Sequence, residues 1–465
     1  MTSGTGKTRI ERDSMGEMEV PAEALWGAST QRAVLNFPVS GERFPRPFVR
    51  ALGLVKEAAA AANAQLGALE GGIALAIRAA AREVAEGVLD DHFVVDVFQT
   101  GSGTSTHMNA NEVIARRASQ LRGTGSDRIH PNDHVNHGQS SNDVMPTALH
   151  VAARQALHED LLPALRKLRA CLSRKAAEFD DAVKIGRTHL MDATPVRVGQ
   201  ELSGYARQIE LGIARIEAAG DGLAELALGG TAVGTGLNCP PGFPALAIAH
   251  ISEATGLEYR EAADHFEAQG GRDAAVLASG ALNTVAVSLY KIANDIRLLA
   301  SGPRCGLGEL ELPALQPGSS MMPGKVNPVI CESVTQVSTQ VVGNDAAVTL
   351  AGLSGHLELN AFVPVIARNL LESIRLLANV SHLFVDRCLD GIGVDRERAG
   401  SLVEGSLAMV TALAPVIGHD AAAQVAGEAL ATGRTVRALC LEKGLLEPDE
   451  LERILDPRSQ TGPRA

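Results

Sequence analysis

The chain has 465 residues, 45% of them hydrophobic and only 3% aromatic, which exceeds one average domain and supplies apolar side chains for a large core. Its formal net charge of −12, with no Lys/Arg block and no aromatic-interleaved basic stripe, excludes the electrostatic footprint of a nucleic-acid binder. Six scattered cysteines without a C-x-x-C pair, and no run of eighteen uncharged apolar residues, point to a reduced, cytoplasmic setting and away from secretion or membrane insertion.

Ala, Leu, Val and Gly abound and the aromatic residues that strands prefer are few, so a mainly α fold is expected. Residues 1–8 (MTSGTGKT) read as a disordered start; the GKT there is not a P-loop, because the Gly required five residues earlier falls on Met1. The first polar loop, TGSGTSTHMN (100–109), is no dinucleotide fingerprint, since its third Gly falls on Thr106. Its hydroxyls and amides suit a carboxylate, as do Ser140, Ser141 and Asn142 in HPNDHVNHGQSSND (130–143). His130, His134 and His137 in that segment suggest metal, but Pro131 and Asn132 interrupt the helix that would align them, and no metal site is expected.

Five long stretches follow with apolar residues recurring at three and four: about 148–178, 197–227, 269–300, 328–352 and 361–389. Helices of that length lie side by side in a bundle. The third is apolar on more than one face between Ala274 and Ala300, which implies neighbouring subunits. Between them lie further polar loops. GRTHLMD (186–192) offers a cation, Arg187, a hydroxyl, Thr188, and a proton-exchanging group, His189. LGGTAVGTGLN (228–238) is a Gly/Thr-rich turn region. PGSSMMPGKVNP (317–328) concentrates Ser319, Ser320, Lys325 and Asn327 before a helix. There Asn327 and Pro328 are expected as N-cap and N1 of the helix carrying Glu332, an end that attracts a carboxylate. After about 395 shorter helices form a small unit that ends in the polar tail DPRSQTGPRA. The expected domains are 1–143, the long-helix bundle 144–394, and 395–465.

Taken together, GSSMMPGKVNP, TGSGT, HPND, QSSND, GRTHLMDATP, ALGGTAVGTGLN and ASGPRCGLGE resemble the fumarase and aspartase superfamily, most closely class II fumarase, from about Arg9 to the 450s. The resemblance implies a three-domain subunit in a homotetramer with one shared helical core, each active site built by loops from three subunits. It implies reversible trans hydration of fumarate to (S)-malate through an aci-carboxylate carbanion, with no cofactor. Ser319 would then be the base at carbon, His189 paired with Glu332 the activator of water, and Lys325 with Asn327 the stabilisers of the aci-carboxylate. Ser102, Gly103, Thr104, Ser140, Ser141, Asn142, Thr188, Ser320, Lys325, Val326 and Asn327 would bind the dicarboxylate. A second anion site would fall on Arg128, His130, Pro131, Asn132 and Asp133.

The chain departs from the family pattern at His107, His137, Gly138 and His356, while Ser105 is a choice also seen in aspartases. His107 is expected to alter volume and charge near the site. The alternatives are an aspartate ammonia-lyase on the same scaffold and, more distantly, a noncatalytic helical interaction protein. His189, where aspartases typically carry Gln, and Gly324, where they carry Ala, favour hydration.

Overall fold

The computed structural model describes residues 7–123 and 127–463. Helices dominate, and each of the five long periodic stretches forms one. They are Ser141–Ala156, running on through a wide turn at Leu157–Leu161 into Leu162–Glu178, then Val198–Gly222, Asp273–Leu299, Val329–Gly352 and Val363–Phe384. Among the described residues, strands form only two-stranded sheets. Most of the start expected to be disordered lies outside the described residues, but Thr8 within it opens a strand, Thr8–Asp13, paired antiparallel with Gly16–Pro21.

The chain divides into two compact units. One takes the chain up to Pro163 with Ala214–Thr284 and Gln340–Ala378; the other takes Ala164–Ile213, Val285–Thr339 and Asn379 onward. Compactness follows packing rather than element order, and the three-domain division at 143 and 394 stands as a proposal.

In the first unit, helix Arg46–Gln65 buries Phe48, Leu52 and Val55 with the run Ala58–Ala62. Methyl side chains let neighbouring backbones approach closely, which is how a chain so poor in aromatics fills its interior. Helix Asp273–Leu299 alone among the described residues is long and apolar enough to cross a membrane, yet half of its apolar window is buried within the chain. Its Ser279 and Asn283 each hydrogen-bond Asp345 at 2.6 Å, the pattern of a core helix.

In the second unit, GRTHLMD is a β-hairpin tip and not the expected irregular loop between helices. Strands Val183–Thr188 and Met191–Arg197 pair antiparallel, Thr188 opposite Met191, so His189 and Leu190 alone make the turn. The C-terminal helices share a core of Val403, Leu413, Val425, Leu439 and Leu451 with Ile185 of this hairpin. The polar tail docks as well: Thr461 accepts from Arg197 Nη1 at 2.9 Å, and its carbonyl accepts from Gln200.

Arg187 is part of this frame. Its guanidinium grips the fully buried carboxylate of Glu309 in two bonds, 2.6 and 3.3 Å, and Lys184 adds a third cationic contact at 3.8 Å. Removing one partner of such a pair strands buried charge. Glu309→Ala is therefore expected to lower the unfolding free energy by about 3–5 kcal/mol, measured by urea denaturation; a loss below about 1 kcal/mol would show that the pair is not what fixes the hairpin.

Candidate active site

In the first unit, the loops carrying TGSGT and QSSND meet. Gly103 sits at φ +80, and a Cβ on it would come within 2.4 Å of Met145 Cε, so this position needs glycine for its backbone and for space. The turn it permits starts helix Thr104–Arg122. Ser102 Oγ lies 2.8 Å from Thr104 Oγ1, which lies 2.7 Å from Ser141 Oγ. Asn142 reaches across to donate to the Ala232 carbonyl at 2.7 Å, bringing in LGGTAVGTGLN. Four polar side chains expected at a carboxylate site are thus contiguous, and Ser140 caps the helix Ser141–Ala156 beneath them. The helix N-terminus adds its positive end to these neutral hydroxyls.

Asp143 ties the cluster together. Its Oδ1 accepts the Ser140 N–H at 2.9 Å, and its Oδ2 accepts the Gly229 and Thr231 N–H groups, each at 3.0 Å. Burial pushes this carboxyl up to about 6, against the lowering effect of those three backbone bonds and of Lys56. Lys56 itself is fully buried, with Nζ 2.8 Å from His107 Nε2, 3.1 Å from Asn136 Oδ1 and 2.9 Å from Gln139 Oε1. Burial pushes it down to about 7, with Asp143 opposing. His107 is held well below the ordinary imidazole range by burial and by Lys56. It lies one turn along the helix from Thr104, buried against Lys56.

A cleft of ≈ 640 Å³ runs from Thr104 and Ser105 to His130 and Asn132, with Arg12 and Arg32 also on its wall. Of the residues expected at a second anion site, His130, Pro131 and Asn132 share this cleft with Thr104. In that second site, Asn132 and Asp133 are exposed. His130 Nδ1 accepts the N–H groups of Asn132 and Asp133, at 3.3 and 3.1 Å, which closes the turn begun by Pro131. His134 Nδ1 accepts the His130 N–H at 2.9 Å. These imidazoles serve backbone turns, and among the described residues no group of three His, Cys, Asp or Glu is placed to hold a metal. Arg128 donates to Glu11 at 2.9 Å, sharing that carboxylate with Arg9 and Arg116. Burial raises Glu11, but the arginine bonds outweigh it and hold the carboxyl below its usual range.

The second unit carries the other candidates. Ser319 Oγ accepts the N–H groups of Met321 and Met322, both at 3.1 Å. The loop is closed by Gly318 N–H to the Lys325 carbonyl, 2.7 Å, and by the Asn327 amide donating to the Gly318 carbonyl, 2.8 Å. A Cβ on Gly318 would lie 2.8 Å from that Lys325 carbonyl, which demands glycine there. Asn327 thus clamps the loop with its side chain in place of the expected N-cap bond. Helix Val329–Gly352 begins just after Pro328. Ser320, Lys325 and Val326 are exposed on the loop.

His189 is exposed at its hairpin tip with φ +56, next to Leu190 at φ +62. Two adjacent non-glycine residues in this region cost on the order of 1–2 kcal/mol each, the kind of backbone strain that clusters at functional sites. Thr188 is exposed beside it. No hydrogen bond or ion pair joins His189 to Glu332 among the described residues; within one chain the two are not brought together. Lys56 and the tie made by Asp143 went unseen from sequence. The available signals were a lone Lys before an alanine run and a capping-box Asp three residues after Ser140.

The family described as "Lyase" matches residues 16–343, and that described as "Fumarase C C-terminus" matches residues 409–462. The chain is 57% identical over 452 residues to the fumarate hydratase class II of Corynebacterium efficiens, covering 97% of this chain and 95% of that protein. It is 58% identical over 455 residues to the fumarate hydratase class II of Halobacterium salinarum, covering 97% of each. The crystal structure of class II fumarase from Schistosoma mansoni superposes with a TM-score of 0.96 at 40% identity, covering 99% of this chain and all of that one.

Replacing Asp143 by Ala would leave the buried Gly229 and Thr231 N–H groups and the half-buried Ser140 N–H without their acceptor, at about 1–3 kcal/mol for each buried one. Asp143→Ala is expected to lose at least about 2 kcal/mol of stability in urea unfolding. An unchanged midpoint would show that the two loops hold together without it.

Proposed function

The chain belongs to the class II fumarate hydratases, a family of lyases, and on that premise we propose that it adds water reversibly to fumarate to give (S)-malate. The observation that most supports a mechanism is the setting of Ser319. A serine hydroxyl is a poor base unless its oxyanion is stabilised. Two backbone N–H groups already point at Ser319 Oγ, and Lys325 belongs to the same closed loop. Donors fixed before the reaction stabilise developing charge without reorganising.

In the hydration direction His189, with Glu332 supporting its basicity, takes a proton from water as the oxygen adds to one alkene carbon. The electron pair moves onto the far carboxylate, giving a dianionic aci-carboxylate held by Lys325 and Asn327. Ser319 then delivers a proton to the neighbouring carbon, on the opposite face. Ser102, Thr104, Ser140, Ser141, Asn142, Thr188 and Ser320 hold the two substrate carboxylates, and the donor set needs no cofactor. Reversal of these steps dehydrates malate.

The same reading makes the enzyme a homotetramer in which loops of different subunits complete each site. Two observations support this. His189 and Glu332 are unpaired in one chain, and the long helices leave apolar side chains uncovered: Leu277, Val287 and Tyr290 on one, Val342 and Leu350 on another. Surfaces of this kind mark subunit contacts. All six cysteines are free, which supports a cytoplasmic setting.

The test is conversion of fumarate to malate by EDTA-treated protein without ammonium, followed by loss of ultraviolet absorbance and product identification. Rapid conversion is expected. Conversion only when ammonium is supplied would overturn hydration in favour of an ammonia-lyase. In the same assay Ser319→Ala and His189→Asn should each lower kcat by roughly 10²–10⁴-fold, with the tetramer intact by light scattering; near-normal turnover in either would remove that residue from the mechanism.

A further inference from the structure

The hydroxyl pair Thr104 and Ser141 belongs to two separate elements: Thr104 opens helix Thr104–Arg122, and Ser141 follows the turn segment 135–139. Oxygen atoms 2.7 Å apart on different elements keep that spacing only if something holds the elements in register. Lys56 is placed to do so. It projects from helix Arg46–Gln65, with no exposed surface, and its Nζ meets three acceptors. His107 lies one turn beyond Thr104 on the same helix, while Asn136 and Gln139 lie in the segment that leads to Ser141.

Three acceptors match the three N–H bonds of an ammonium group. With Lys56 as an ammonium, the His107 contact takes a neutral imidazole whose Nε2 lone pair faces Nζ, and burial with the neighbouring Lys56 pushes the pKa of that ring down. Asp143 is the acidic group whose charge acts on Lys56 within this interior. The network then spreads into the segment's backbone. Gln139 Nε2 donates to the carbonyls of Val135 and His137, both at 3.1 Å, and Asn136 donates to the Gln139 carbonyl at 3.2 Å. Asn63, two turns along from Lys56, donates to the His137 carbonyl at 3.0 Å. The segment before Ser141 is thus gripped from one helix, and that grip is completed through His107 on the helix of Thr104.

We propose that Lys56, through His107, Asn136 and Gln139, is a positioning residue for substrate binding: it fixes the spacing of the Thr104 and Ser141 hydroxyls that receive a carboxylate of the dicarboxylate substrate. This rests on the reading of those hydroxyls as carboxylate ligands. Lys56 touches no substrate. Its removal frees the first turn of helix Thr104–Arg122 and the segment before Ser141 to shift by fractions of an ångström, which weakens binding in the ground state and the transition state alike, so KM rises while kcat holds.

The test compares full-length wild type with Lys56→Met, His107→Leu and His107→Gln. Gln places an acceptor oxygen near the position of Nε2, and Leu does not. Lys56→Met and His107→Leu are expected to raise KM for fumarate about tenfold or more with kcat within about threefold, and His107→Gln to restore KM to near the wild-type value. Hydrogen exchange followed by mass spectrometry should show faster exchange at residues 130–143 in the two disruptive variants, with the C-terminal helices unchanged. Unchanged KM and unchanged local exchange would overturn the proposal. So would a parallel fall in kcat with faster exchange throughout, which marks a general loss of packing. If Lys56→Met fails to fold, the Leu and Gln pair at His107 decides by the same criteria. If wild type does not turn over fumarate, the substrate reading falls, and the exchange comparison still decides whether Lys56 fixes the segment.

Discussion

Two loops of the proposed carboxylate site are tied by one buried carboxylate that accepts backbone N–H groups from two distant stretches of chain. Asp143 holds the Ser140 N–H on one oxygen and those of Gly229 and Thr231 on the other. Acceptance by Oδ1 completes the capping box that starts helix Ser141–Ala156, and acceptance by Oδ2 fixes the Gly/Thr-rich turn against it. The hydroxyl of Ser141, on that helix, then meets those of Thr104 and Ser102. A buried carboxylate is costly unless its lone pairs are met; here three backbone donors meet them, and Lys56 adds a favourable charge nearby.

The chain's net charge of −12 sharpens the need for such local arrangements. Long-range attraction does not draw a dianion to this protein, so binding rests on donors at the point of contact. In the first unit, neutral hydroxyls lie over a helix N-terminus. In the second, Ser319 sits in a cradle of N–H groups, Lys325 is on a loop closed by Gly318 and Asn327, and His189 is on a hairpin held near its turn by Arg187 and Glu309. The hairpin tip leaves His189 exposed.

Much of this was legible in the sequence where a single physical rule governs the outcome. Apolar periodicity marked five of the long helices, since one face must be buried at every turn, but not Arg46–Gln65 or Thr104–Arg122. Glycine and hydroxyl runs marked the loops. What the sequence did not display were pairings between residues far apart. Arg187 read as a cation available to substrate, yet it belongs to Glu309, 122 positions away. Asn327 read as a cap, yet its amide closes the loop on Gly318. The turn at His189–Leu190 carries neither Gly nor Asn, so the usual signal of a two-residue hairpin was absent. Lys56 beside an alanine run looks like a solvated face, and only the packing of three elements reveals it as interior. His107, expected to alter volume and charge near the site, is buried against Lys56.

The central claim is that groups from different copies of the chain complete each catalytic site. It is tested most directly by subunit exchange: Ser319→Ala and His189→Asn proteins, each inactive alone, are dissociated, mixed in equal amounts and reassembled. Where Ser319 and His189 of one site come from different subunits, random mixing returns up to about one quarter of the wild-type activity, the chance that two intact residues meet. Activity that stays at the level of the separate variants, in mixtures shown to contain hybrid tetramers, would contradict the account.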